Sequence, residues 1–208
     1  ITSLGTGLGI GAAVVINSLR GDNKNRLAER SKTVSLWLLF IGGLVSTALC
    51  FAIYSPLLGL LGASGIVKIY AENYSLVISL GALFQVIGAG AVVLLRNEGK
   101  TYSALIYTAI GLAVHIGLDF LTVKRFALYG VAAATVVSQA VVAALSVVTF
   151  LKQKPVESTG ETESNENSPR LAVNILKNSI APFGLNFVPS ATLLFTNFFA
   201  LSSGGTAA

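Results

Sequence analysis

The chain has 208 residues, 53% of them hydrophobic and 11% charged, with a net charge of +5 and a mean hydropathy of +0.76. Soluble domains carry about 25% charged residues, so a water-soluble globule is excluded and a polytopic membrane protein is implied. The basic residues sit between apolar runs, so the charge is no nucleic-acid signal, and the single cysteine, Cys50, excludes an internal disulfide framework.

Ile1 to Leu19 is uncharged and carries Gly5, Gly7, Gly9 and Gly11. A dinucleotide-binding G-x-G-x-x-G loop needs a glycine at its sixth position and a strand before it. Neither is present, so the glycines predict close helix packing through small residues. The chain contains no methionine and opens inside an apolar segment, so it reads as a piece of a longer protein. Residues 20–32, with Arg20, Lys24, Arg26, Arg30 and Lys32, predict a charged loop. Val34 to Leu61 is uncharged and long enough to cross roughly 30 Å of hydrocarbon, with Pro56 and Gly59 placed to end or bend it. Residues 62–73 form a short connection with Lys68 and Glu72, and Tyr74 to Leu95 is the next span. Gly81, Gln85 and Gly88 share one face of it. Residues 96–100 then make a tight charged turn.

Thr101 to Val123 is a span with a polar stripe. Thr108, Gly111, His115, Asp119 and Thr122 recur at spacings of three and four and so share a face. An aspartate at a helix centre costs about 2.5–3.5 kcal/mol to insert, and such groups turn toward a bundle interior or a wet cavity. The plain structural alternative places Asp119 at the interface, paired with Lys124 or Arg125. Residues 124–129 form a connection, and Gly130 to Leu151 is another span. Residues 152–170 are rich in Pro, Ser and Glu and have no apolar face, which predicts a linker. The last apolar segment, Leu171 to Ala200, contains Pro182 and Pro189, with Asn186, Ser190 and Asn197 near one face.

The fold expected is all-α: a polytopic transmembrane bundle of six spans, because only helices satisfy every backbone group within each segment and no alternating barrel strands appear. Residues 20–32, 96–100 and 152–177 hold eleven of the fourteen Lys and Arg. The positive-inside rule puts that set in the cytoplasm. No enzyme or metal constellation stands out, since there is one His and one Cys. The polar positions at membrane depth are Gln85, His115, Asp119, Thr135, Gln139, Asn186, Ser190 and Asn197. Gln85, Gln139 and Asn197 are expected mainly as glue between helices. His115 and Asp119 are expected to carry or stabilise a proton or to ligate Na⁺.

Several runs resemble the multidrug and toxic compound extrusion (MATE) transporters. Gly7 to Arg30 resembles the end of their second helix and its following loop. Residues 96–100, RNEGK, resemble their R-x-x-G turn after the fourth helix, and residues 115–119, HIGLD, resemble the fifth-helix motif N-I-x-L-D. Residues 130–135, GVAAAT, resemble the opening of the sixth helix, and Asn174 to Ala208 resembles the start of the seventh. The resemblance implies twelve helices in two six-helix lobes, of which this chain holds helices two to seven. Residues 1–151 would be N-lobe helices, 152–170 the cytoplasmic linker, and 171–208 the first helix of the C-lobe. It also implies a cell-membrane antiporter, not an enzyme, that exports amphipathic, often cationic compounds by alternating access. Its cation site would map to His115, Asp119 and Thr135, together with an acidic residue of the first helix. Gln85, Asn186 and Ser190 are expected to line the cavity. The family's usual residue at position 115 is Asn. Imidazole is a poor Na⁺ ligand, since hard cations prefer oxygen, so proton coupling is expected over sodium. No cofactor beyond that coupling ion is expected. The expected partners are a small-molecule substrate, the lipid bilayer and the remainder of the same chain, with no nucleic acid. Two rival readings are a lipid-linked oligosaccharide flippase of the same superfamily, which would favour a cationic groove, and a membrane scaffold that transports nothing.

Overall fold

The computed structural model describes residues 1–153 and 168–204. They form five helices: α1 (Thr2–Gly21), α2 (Asn25–Leu60), α3 (Gly65–Asn97), α4 (Thr101–Leu151) and α5 (Ser168–Gly204). All five are long and apolar enough to cross a membrane, and no strand occurs among the described residues. Most of the linker expected at 152–170 lies outside the described residues, as do residues 205–208 of the final motif.

The 51 residues of α4 are about twice what one crossing needs. Its helical geometry breaks at Ala127 (φ 46°, ψ −129°), and the arms 101–126 and 128–151 fold back on each other. Tyr107 Oη lies 2.7 Å from Thr149 Oγ1 across the arms. Near the bend, a Cβ placed on Gly130 would stand 2.8 Å from the carbonyl oxygen of Thr122. The six expected spans are therefore present, two of them joined in one helical hairpin. The connection expected over 124–129 shrinks to that single non-helical residue.

Two other expected loops are also shorter. The charged stretch 20–32 is mostly helix, because α2 starts at Asn25 and leaves only 22–24 as a turn. Asn23 takes a left-handed φ of 58° there, a conformation that Asn tolerates better than most residues. The connection expected over 62–73 reduces to 61–64. In both places the charges form the first turns of a helix and find partners on neighbours, which local composition does not reveal.

The glycines of α1 work in two rows. A Cβ on Gly9 would stand 2.8 Å from the carbonyl oxygen of Gly90 on α3, and Gly5 faces the carbonyl of Val86 one turn away. Gly7 instead meets Phe183 of α5 at 2.9 Å, and Gly11 meets Ser179. Residues four apart share a face, so alternate glycines bring α1 against two different helices. On α3, Gly81 and Gly88 take up Val136 and Ala143 of the second arm of α4. The core between these rows holds Ile16, Leu39, Val86, Leu94, Leu95 and Ile175. Gly9→Leu is expected to push α1 off α3 and to cost at least the 1–3 kcal/mol or so typical of overpacking. Gly21→Ala, where a Cβ meets nothing within 4 Å, is the neutral control. Melting of the full-length protein in detergent, followed by size-exclusion chromatography, measures both, and a Gly9→Leu protein as stable as Gly21→Ala would refute the tight contact.

At the basic end of the bundle, α1, α2 and the α3–α4 turn meet in an ion-pair clasp. Glu98 Oε2 receives Arg20 Nη2 at 2.9 Å and Lys32 Nζ at 2.6 Å. Lys32 also reaches Glu29 at 2.8 Å, and Asn17 Nδ2 donates to Asn97 Oδ1 at 2.7 Å. The side chains of Lys32 and Glu98 are both only 8% exposed. Gly99 follows with φ 75°, a value that glycine adopts freely, and it turns the chain into α4. Burial pushes the Glu98 carboxyl up, but the hydrogen bonds and charges of Arg20 and Lys32 outweigh it and hold the group below its ordinary range.

Candidate functional site

A cavity of about 410 Å³ opens between α1, α3 and both arms of α4. Its polar lining comprises Thr2 and Thr6 from α1, Arg96 from α3, and Thr108, His115, Ser138 and Gln139 from α4. Gly88 and Gly111 also line it, and a Cβ on either would meet the second arm of α4, at Ala143 and Val142. Three of the four hydroxyls are spent on their own helices. Thr6 donates to Thr2 O at 3.1 Å, Thr108 to Ala104 O at 2.8 Å, and Ser138 to Thr135 O at 2.8 Å. Each hydroxyl oxygen keeps acceptor capacity once its proton is used. The lining therefore offers a few oxygen acceptors, beside the Arg96 guanidinium and an apolar wall of Ala89, Val92, Val93, Leu112 and Val142.

His115 stands at the wall between this cavity and Asp119. Its Nε2 lies 3.1 Å from Thr135 Oγ1 and 3.6 Å from Asp119 Oδ2. Thr135 donates its own proton to Val131 O at 3.1 Å, so its oxygen accepts from the ring. That network places an N–H on Nε2 of His115. Asp119 Oδ1 is buried and has no hydrogen-bond partner among the described residues. The hairpin thus brings together the three residues expected at the site, two from its first arm and one from its second. Of the three, only His115 lines the cavity. Asp119 pairs with His115 rather than with a nearby basic side chain, and Arg125 lies over the Phe126 ring at 5.8 Å.

The other expected lining residues are placed differently. Gln85 does not line the cavity but donates Nε2 to Thr2 Oγ1 at 2.8 Å, which fixes a residue that does. Asn186 and Ser190 are exposed on α5 and do not line it. Asn186 Nδ2 donates to Pro182 O at 2.8 Å, and Ser3 Oγ donates to Asn186 O at 2.9 Å. Pro182 and Pro189 lie inside α5. Sequence reasoning did not single out Thr2, Thr6 or Arg96. The three-to-four spacing of Thr2 and Thr6 beside the glycine rows was the signal available for the first two.

An all-helical bundle of membrane length, with a part-open cavity of mixed apolar and polar lining between its helices, has the architecture of a multi-pass membrane protein. The MatE family model matches residues 1–121, more than half of the chain, and the chain belongs to that family. The fold is shared with MATE in a bent conformation, at 24% identity and a TM-score of 0.79, over 98% of this chain and 46% of that one. An outward-facing multidrug resistance MATE family transporter of the MOP superfamily matches at 25% identity and a TM-score of 0.78, over 98% and 46%. A MOP superfamily transporter from Pyrococcus furiosus, described as having a binding pocket of reverse polarity that suggests a different function, matches at 25% identity and 0.75, again over 98% and 46%. The chain therefore spans about half the length of these structures. No curated protein matches it.

Proposed function

We propose that this chain is part of a cation-coupled antiporter, driven by protons in preference to sodium, that exports amphipathic and often cationic compounds by alternating access. The observation that carries the reading is the His115–Asp119–Thr135 group, at 3.1 and 3.6 Å, beside a largely apolar cavity with a few hydroxyls in its wall. Asp119 Oδ1 is an open acceptor for a proton. His115 touches both the carboxylate and the cavity, so a change of charge on Asp119 reaches the cavity through one side chain. In the same reading, residues 1–151 belong to the first lobe, 152–170 form the cytoplasmic linker and 171–208 begin the second lobe. A mechanism of lobes rocking about a midplane site is the pattern of repeat-built transporters.

The test uses the full-length protein in everted vesicles, with a fluorescent cation as substrate and an imposed pH or Na⁺ gradient. An imposed pH gradient is expected to drive efflux and a Na⁺ gradient to leave it near background. His115→Asn supplies an amide oxygen in place of imidazole and is expected to move the dependence toward Na⁺. Efflux driven by Na⁺ alone in the unaltered protein would overturn the proton reading. A second reading, a flippase for lipid-linked oligosaccharides, draws support from Arg96, a cation that faces the cavity. It predicts movement of an anionic lipid-linked sugar, lost in Arg96→Gln, with no efflux of organic cations.

A further inference from the structure

A second recess lies at the basic end of the bundle, between the start of α2 and the end of α4. Its upper part, about 440 Å³, is lined by Arg26, Arg30, Lys32 and Gln153, with Glu29 the one acidic group. Its lower part, about 330 Å³, is bounded by Trp37, Phe40 and Leu151. The two parts share Thr33, Leu36 and Leu151, so they form one continuous groove. Trp37 is 61% and Leu151 66% exposed, which opens the lower half to the outside of the bundle. A polar, cationic head thus continues into an apolar tail along an exposed side of α2.

Arg30 and Gln153, both in the head, have no partner among the described residues. Lys32 is consumed by Glu29 at 2.8 Å and Glu98 at 2.6 Å. Arg30, in contrast, is exposed and makes no ion pair among the described residues. Gln153 Nε2 is buried and has no hydrogen-bond partner among the described residues, and a buried donor without an acceptor is a costly arrangement. A guanidinium and an amide N–H facing one recess suit a singly or doubly charged phosphate, whose oxygens take a bidentate arginine. The apolar half decides the source of that phosphate. A soluble anion has no use for Trp37 and Phe40, whereas a phospholipid fills both halves. Seven residues separate Arg30 from Trp37, about 10 Å of helix rise, which fits the step from headgroup phosphate to upper acyl chain. Tryptophan favours that depth, and the positive-inside rule places this end in the anionic cytoplasmic leaflet.

We propose that this groove binds an anionic phospholipid of the cytoplasmic leaflet, its headgroup phosphate on Arg30 and Gln153 and an acyl chain against Trp37, Phe40 and Leu151. Bound there, the lipid bridges the start of α2 and the second arm of α4, two segments that flank the ion-pair clasp. The site is separate from the cavity that holds His115, so its occupancy does not depend on which substrate is exported.

The test is fluorescence quenching in vesicles of phosphatidylcholine with the full-length protein. Trp37 emission is isolated by subtracting the Trp37→Phe protein, and acyl-brominated phosphatidylglycerol or phosphatidylcholine is added in turn. Brominated phosphatidylglycerol is expected to quench Trp37 at a lower mole fraction than brominated phosphatidylcholine. The double variant Arg30→Gln with Gln153→Leu should weaken that preference roughly fivefold, the worth of one basic residue at an anionic surface. Arg30→Lys should restore part of it. Equal quenching by the two lipids overturns the proposal. So does a preference that appears only after residues 157–166 are deleted, because the chain's own acidic segment would then be the occupant.

Discussion

Asp119→Asn in the full-length protein is expected to abolish proton-driven efflux while leaving expression and melting temperature unchanged. The substitution preserves shape and removes only the capacity to ionise. In the folded protein one carboxylate oxygen faces His115 Nε2 at 3.6 Å, and the other is buried with no hydrogen-bond partner among the described residues. Asn fills the same space, so the packing around position 119 is retained without the charge. Keeping a carboxylate at membrane depth without a dedicated cation beside it is costly, and function is the ready explanation for the expense. Thr135→Val removes the acceptor of the His115 N–H and is expected to slow efflux without abolishing it, because Asp119 still ionises. The measurement is the initial rate of fluorescent-cation efflux from everted vesicles under a pH gradient, at matched protein levels. Wild-type rates in Asp119→Asn would reduce the aspartate to a structural partner of His115.

Much of this site was legible in the sequence because it depends on local spacing. His115 and Asp119 lie four residues apart on one helix, so their contact follows from the helical period. Thr135 needed more, since its approach depends on a hairpin whose bend falls at Ala127. Nothing at that position announces a left-handed φ, as the residue is neither Gly nor Asn. The glycine rows of α1 were recognisable as packing surfaces, but which row meets α3 and which meets α5 is a tertiary fact. The cavity shows the same limit. Its hydroxyls were visible one by one, whereas the lining is set by how three helices pack, and it leaves Asn186 and Ser190 outside. The charged stretch 20–32 misled for a related reason. Its charges resemble a loop because their partners, Glu98 above all, lie some seventy residues away.

Glu98→Ala is expected to cost on the order of 3–5 kcal/mol, the usual result of removing one member of a buried ion pair. The carboxylate is the hub on which Arg20 and Lys32 converge, at 2.9 and 2.6 Å, and it joins three helices at one end. Its loss leaves the buried Lys32 ammonium with Glu29 alone. Removing both partners together, in Lys32→Met with Glu98→Met, should cost much less than Glu98→Ala, because no uncompensated charge remains. The same group gives a pH signature. Its folded value is held below the ordinary 4.5 by the two cations, despite burial. The unfolded chain therefore binds the proton more tightly, and the stabilisation is complete above that ordinary value. It is lost as pH falls from there through the lowered folded value. Unaltered protein should accordingly lose melting temperature below about pH 4.5 more steeply than Glu98→Gln, which has no proton to take up. Thermal melts in detergent across that acid range decide the matter, and parallel curves for the two proteins would mean that the clasp contributes packing and no charge.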